Sequence, residues 1–306
     1  MKKTAPCPAP NRGLRFWLLV WVGVAYWCMS TDAAVPQRVI SLAPNITETV
    51  FALGAGDRLV GIGDFCNYPQ AVESIQRCGG TFNPNFEVIS SLEPDLILVQ
   101  GEHRPVRDYA RERGIWLEGV DMDSIATLME GIEKLGRVLD REPRAEQFVQ
   151  DLRSQFAAIG ERIPDVPPDR HPSVLISIGR VTGKPDNIMT AHGGSFIDEA
   201  VTMAGGRNIF GDLKHFYPQI SHESLIARRP QVILEFIRDP ELSEERLKQV
   251  HAEWQSLASL PAVKQRRIHV ITEDYALIPG PRMVLLVRKI NEILYPDQPA
   301  VPNESK

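Results

Sequence analysis

Two stretches of the chain follow one template. Phe86 to Gln100 reads "FEVISSLEPDLILVQ" and His222 to Phe236 reads "HESLIARRPQVILEF", each position of the second lying 136 residues after its counterpart. Both have a glutamate in second place (Glu87, Glu223), a proline seven residues later (Pro94, Pro230), and then an apolar run. Proline cannot continue a helix. A short run without polar alternation is the pattern of a strand buried on both faces, as in parallel sheets. The template is therefore helix, stop, buried strand, and a chain that carries it twice is expected to fold as two similar α/β halves.

The rest of the chain fits that expectation. "RVISLA", "RLVGIGDF", "DLILVQ" and "WLEGV" read as strands, separated by helical patterns over "NITETVFALGAG", with Asn45 as N-cap candidate, "NFEVISSLE", Arg104–Arg113 and Ser124–Leu139. They make an N-terminal lobe over residues 36–140. Ala145, Phe148, Val149, Leu152, Phe156 and Ile159 then form one helical stripe, predicting a linking helix over 143–163 that ends in "IPDVPPDRHP". A helix of some 20 residues is about 30 Å long and joins two lobes more rigidly than a flexible linker would. The alternation resumes over 170–296 with the strands "SVLISIG", "QVILEF" and "RIHVIT", and 297–306 reads as a disordered tail.

The first 33 residues are of another kind. Lys2, Lys3, Arg12 and Arg15 precede an apolar run from Phe16 to Met29, followed by the small residues of "STDAA". That order matches a secretory signal peptide cleaved after Ala33, and so export from the cytoplasm. A retained anchor is the alternative, but the 14-residue run is short against the ~20 apolar residues that span a bilayer. Lipidation at Cys28 is disfavoured by the bulky Tyr26 and Trp27 before it. Without residues 1–33 the chain carries 30 basic and 38 acidic residues, a net charge of −8. With no basic cluster evident in the sequence, that balance argues against a nucleic-acid partner. Export leaves Cys66 and Cys78, an even pair that an oxidising compartment would bridge, with two separate buried thiols as the alternative.

"RVISLAPNITETVFALGAGDRLVGIGDFCNYP", "GGTFNPNFEVISSLEPDLIL", "AGGRNIF", "YPQISHESLIARRPQVIL" and "PAVKQRRIHVI" together resemble the periplasmic binding proteins for cobalamin, haem and ferric siderophores, the solute receptors of ABC importers. The likeness runs in order from Val39 to Tyr295. It implies two Rossmann-like lobes on a single long α-helix, a ligand cleft between them, and little hinge closure. It further implies that Glu87 and Glu223 dock into arginines of the importer's membrane subunits, where a carboxylate accepts a bidentate guanidinium pair. By the same likeness Phe65, Phe82 and Tyr217 line the cleft, with Asp274 as a polar contact. Phe82 and Tyr217 stand where the cobalamin binders are expected to have tryptophan. Aromatic faces suit a broad, flat macrocycle. His192 and His215 are candidates for the axial position of a bound cobalt or iron, and Arg282 for a ligand carboxylate.

The ligand expected is a cobalamin-type corrinoid, with a ferric siderophore or haem as the alternative, captured by a monomer and handed to the permease. No resident cofactor or metal is expected. A sensor module built on the same lobes is a further alternative. An enzyme is disfavoured, because G-x-S-x-G, H-E-x-x-H, a P-loop and a dinucleotide fingerprint are all absent from the sequence. A receptor for bare zinc or manganese would need clustered His and carboxylate ligands, and the seven histidines are scattered.

Overall fold

Every strand pairing in the two main sheets is parallel, in a computed structural model that describes residues 34–180, 187–215, 217–239 and 242–299. The signal segment and residues 300–306 lie outside the described residues. The first sheet contains β1 (Val39–Ser41), β2 (Leu59–Ile62), β3 (Gln76–Arg77), β4 (Leu96–Gln100) and β5 (Trp116–Val120), in the order β3-β2-β1-β4-β5. A small antiparallel pair, β7 (Ile188–Met189) with β9 (Gln219–Ile220), stands apart. The second sheet contains β6 (Ser173–Ser177), β8 (Arg207–Asn208), β10 (Val232–Phe236) and β11 (Ile268–Ile271), in the order β11-β10-β6-β8. Apart from the short β3, the two orders are the same. The first strand of each half is central, the next joins it on one side, and the later ones join on the other.

The helices are α1 (Pro44–Ala52), α2 (Phe86–Ser91), α3 (Arg104–Arg113), α4 (Ile125–Val138), α5 (Glu142–Gly160), α6 (Phe196–Met203), α7 (His222–Arg228), α8 (Glu244–Trp254), α9 (Pro261–Lys264) and α10 (Met283–Leu294). The repeated template is α2 followed by β4, and α7 followed by β10. Each copy leaves its helix through a left-handed residue, Glu93 at φ 44° and Arg229 at φ 48°, immediately before the buried proline. One start differs from expectation. Asn45 is not the cap of α1: the helix begins at Pro44, whose fixed φ suits a first helical position, and Ala43 precedes it. Asn45 is instead buried, and its amide donates to Gln100 Oε1 at 2.8 Å and to the Pro279 carbonyl at 3.3 Å.

Side chains alternate faces along a strand, and here the alternation builds three apolar layers. Val39, Leu96 and Leu98 enter a central layer, while Ile40, Ile97 and Val99 enter an outer one. In the second sheet Val174, Ile176, Val232 and Leu234 join the same central layer, while Leu175 and Ile233 point to the other outer one. Between the sheets the central layer is filled by α1, α4, α5, α6 and α10. The stripe Ala145, Val149, Leu152, Phe156 and Ile159 of α5 is buried in it. The two halves thus share one core, and the described residues from Pro36 onward form one compact unit.

A charged clamp ties the halves where that core meets solvent. Arg282, just before α10, donates Nε and Nη2 to the Glu48 carboxylate of α1 at 2.9 and 2.7 Å. Its Nη1 donates to both Asp274 oxygens at 2.8 and 2.9 Å, and the guanidinium lies 3.9 Å from the Tyr68 ring centre. Burial works against the Arg282 cation, but the hydrogen bonds and charges of Glu48 and Asp274 outweigh it and hold its pKa above the ordinary value. A second tie is the Glu199 carboxylate of α6, which accepts the Ile125 N–H at the start of α4 at 2.7 Å.

The expected Cys66–Cys78 disulfide is not formed, and both residues are buried free thiols. Cys66 belongs to the central layer, where its sulfur accepts from Thr47 Oγ1 at 3.2 Å, and Cys78 belongs to the outer layer beyond the first sheet. Opposite faces of a sheet give no geometry for a bridge.

Two outcomes follow from these contacts. Burial pushes the Cys66 thiol up and the Cys78 thiol to about 11, so neither is appreciably thiolate at pH 8. Iodoacetamide without reductant should label neither thiol in the native protein and both in guanidinium; a bridged pair would stay unlabelled in both. Arg282→Met strands the Glu48 carboxylate, which is 3% exposed, and should cost about 3–5 kcal/mol in denaturant unfolding. Adding Glu48→Leu to that variant should recover most of the loss.

Candidate functional site

Parallel strands end on a common edge, and in open α/β sheets the crevice beyond their carboxyl ends, where the strand order reverses, is where ligands bind. Here the reversals fall between β1 and β4 and between β6 and β10. The segments past these carboxyl ends carry Phe65 and Tyr68 (after β2), Phe82 (after β3), Asp123 (after β5), Arg238 (after β10) and Asp274 (after β11). The two edges meet. Arg238 lies over the Phe65 ring at 5.5 Å, and both line a small cavity of about 90 Å³ with Tyr68, Asp274 and Arg282. Phe65 and Asp274, paired in expectation only through the resemblance, are thus brought together from opposite halves.

The expected aromatic residues are displayed to solvent. Phe82 is 96% exposed, Phe65 56% and Tyr217 40%. Phe82 sits at the tip of a tight turn closed by the Gly79–Pro84 bridge and by Thr81 Oγ1 donating to the Leu42 carbonyl at 3.2 Å. Gly79 has φ +87°, and a Cβ there would lie 2.5 Å from the Asn83 carbonyl oxygen, so the turn requires glycine. An apolar ring held outward by a rigid turn does not pack the core.

Tyr217, at φ 45°, stands edge to face with His192, ring centres 6.2 Å apart. Burial and then the charge of Asp123 push the Tyr217 phenol above its usual value, so it is a neutral donor at neutral pH. His215 is exposed in the loop before Tyr217, and among the described residues no ring contact joins it to the other site residues. Arg282 departs from its expectation: four of its five N–H donors are taken by the Glu48 and Asp274 carboxylates, which already neutralise it as a partner for a ligand carboxylate. The Asp274 carboxylate lines the cavity while already accepting from Arg282.

Glu87 and Glu223 occupy the second position of α2 and α7, and both are exposed. Each helix runs antiparallel to the strand that follows, so both glutamates lie at the carboxyl edge of their sheet. Asn85 caps α2 by accepting from the Glu87 and Val88 amides, and Ser221 caps α7 by accepting from the Ser224 amide. With the cap supplied by another side chain, neither glutamate is needed to start its helix. The Ser221 hydrogen bond, with the Glu223 backbone amide, holds the Glu223 carboxyl below its ordinary pKa.

Tyr68 and Arg238 were not singled out from sequence. Tyr68 lies in "DFCNYP", three residues after Phe65, and nothing in the local spacing marks its ring for the site. An arginine after a buried strand gives no signal, because a solvated one looks the same. A groove of about 930 Å³ along the edge strand β5 is larger than the cross-half cavity, but its lining has no Phe, Tyr or Trp. Lys134 blunts that edge by donating to the Gly119 carbonyl at 2.7 Å. Among the described residues there is no cluster of His, Cys, Asp or Glu able to hold a metal ion, and no helix long and apolar enough to cross a membrane.

Comparison with known proteins agrees with this geometry. The chain is 26% identical over 266 residues to a vitamin B12-binding protein of Vibrio vulnificus, covering 86% of this chain and 92% of that one. The crystal structure of the periplasmic vitamin B12-binding protein of Vibrio cholerae superposes with TM-score 0.66 at 28% identity, over 85% of this chain and 96% of that one. A periplasmic haem-binding protein from Pseudomonas aeruginosa superposes with TM-score 0.74 at 24% identity, over 88% and 96%, a likeness of fold. The family model for periplasmic binding proteins matches residues 39–275, and the chain belongs to that family.

Proposed function

We propose that the protein is the receptor of an ABC importer that captures a cobalamin-type corrinoid between its two halves outside the cytoplasm and presents it to the permease through Glu87 and Glu223. The observation that carries this reading is the set of solvent-displayed rings, Phe65, Phe82 and Tyr217, on loops beyond the carboxyl ends of both sheets. Exposed rings on a rigid frame cost apolar hydration until a flat ligand covers them, and little ordering is required when it does. The likeness to the two Vibrio vitamin B12 binders supports the corrin over other macrocycles. A ferric porphyrin is the second reading, favoured by the Tyr217 phenol beside the His192 imidazole.

Visible absorption during titration separates these readings. Cyanocobalamin should bind with one-to-one stoichiometry, and haemin or a ferric hydroxamate should not compete at equal concentration. Saturable binding of haemin alone would replace the corrinoid assignment. Phe82→Ala and Tyr217→Ala should each remove ring contact of about 1–3 kcal/mol, which is about five- to 150-fold in affinity. The unfolding midpoint of the ligand-free protein should hardly move. A fall in that midpoint with unchanged affinity would place the rings in the folding core instead.

Docking should separate from capture. Glu87→Ala with Glu223→Ala should leave cyanocobalamin affinity unchanged and reduce uptake in cells at least about tenfold, as expected when the guanidinium partners of two carboxylates are left unpaired. Normal uptake by the double variant would remove the proposed reason for the repeated glutamate.

A further inference from the structure

The opposite edge of the second sheet carries a concavity of about 500 Å³ that plays no part in the cleft. Arg170, at the end of a 3-10 turn spanning Pro168–Arg170, Arg207, which opens β8, and Arg229, which precedes β10, surround it with His171 and Arg228. Asp169 is the one acidic residue in the lining. Arg228 is already satisfied, its Nη2 bonded to Asp212 at 2.8 Å and its guanidinium stacked 4.6 Å over Phe210. Among the described residues, Arg170, Arg207 and Arg229 have no carboxylate partner.

Three unpaired guanidiniums and a histidine around one hollow are unusual in a chain whose mature form has net charge −8. Like charges brought together repel, so this cluster does nothing for the fold by itself. Its floor is built: the Ser173 amide donates to Gln231 Oε1 at 2.9 Å and the Gln231 amide to Ser173 Oγ at 3.1 Å. The left-handed backbone of Arg229 belongs to the repeated template, since Glu93 shares it in the first half, but the positive side chain belongs to this half alone.

We infer that this hollow binds a phosphate-bearing anion of at least two negative charges, at a site separate from the cleft. A guanidinium presents a planar fork that engages two phosphate oxygens at once. Three forks approaching from three separate segments, a 3-10 turn, a strand and a helix end, suit a tetrahedral group, which offers oxygens on several sides; a planar carboxylate offers two. The volume suits a small phosphorylated molecule, and the same chemistry occurs in a doubly charged lipid headgroup.

The test uses the mature protein and sodium pyrophosphate, followed by calorimetry at constant ionic strength with sodium chloride as control. One equivalent should bind saturably, and Arg170→Gln, Arg207→Gln and Arg229→Gln combined should weaken it at least about tenfold. Cyanocobalamin titration of the same variant should be unchanged, which separates failure of this site from failure of the cleft assignment. If the triple variant does not fold, Arg207→Gln alone makes the same comparison, with an expected loss of about threefold or more. Co-sedimentation with phosphatidylcholine vesicles, with and without cardiolipin, whose headgroup carries two phosphates, distinguishes the source. Pyrophosphate binding without vesicle binding points to a free phosphorylated molecule, and arginine-dependent capture by the anionic vesicles to a headgroup. Absence of binding in both arms, or binding that the arginine variants leave intact, overturns the inference.

Discussion

The apolar layer between the two parallel sheets is the constraint on which the rest of the molecule depends. Val39, Leu96 and Leu98 from one sheet and Val174, Val232 and Leu234 from the other press on the same set of helices, with α5 and α10 at the centre. A strand residue that slipped by one position would carry its whole apolar set to the wrong face, so the register of both sheets is fixed by this one layer. Because neither half has a complete core without it, the halves are held at one mutual setting. The Arg282 clamp then fixes that setting at the solvent edge. Its charges are buried at a cost that their mutual hydrogen bonds offset, which makes the clamp more a device of geometry than a source of net stability.

That rigidity explains how rings can be left in water. Phe82 and Phe65 are apolar surface the fold does not cover, a state that would invite collapse of a flexible loop onto the nearest apolar patch. The glycine-dependent turn at Gly79 and the bonds of Thr81 prevent this for Phe82. A preformed site loses little freedom on binding, so the proposed capture of a flat ligand would not require closure of one half on the other. Glu87 and Glu223, the residues proposed to dock, use the same frame. They stand at equivalent points of equivalent helices, so the spacing between them is set by the shared core and not by any loop.

Much of this was legible in the sequence, and the reasons are local. Strands such as "DLILVQ" and "QVILEF" announce themselves because burial on both faces removes polar alternation, and α3 was bounded correctly because Pro105 and Gly114 punctuate it. The stripe on α5 was legible because helical spacing is a property of the residues themselves. Where the reading failed, the deciding partner was distant in sequence. Asn45 read as a cap because only its neighbours could be weighed, whereas its amide bonds the Pro279 carbonyl, 234 positions away. Arg282 read as a ligand anchor because its partner Glu48 is equally remote. The cysteine pair read as a bridge because parity and compartment carry no information about which face of a sheet each thiol occupies.

The sequence by itself determined the two α/β halves, the repeated helix–proline–strand unit with its glutamates, and the family likeness, since all of these rest on spacing and on residue preferences that act over a few positions. Tertiary structure alone decided that the halves share one apolar layer, that Arg238 reaches Phe65, that Arg282 is spent on Glu48 and Asp274, and that three arginines from separate segments surround one hollow. Each of those facts is a contact between residues far apart in the chain. Such contacts are set by the common packing of two sheets against one layer, which no local window of sequence contains.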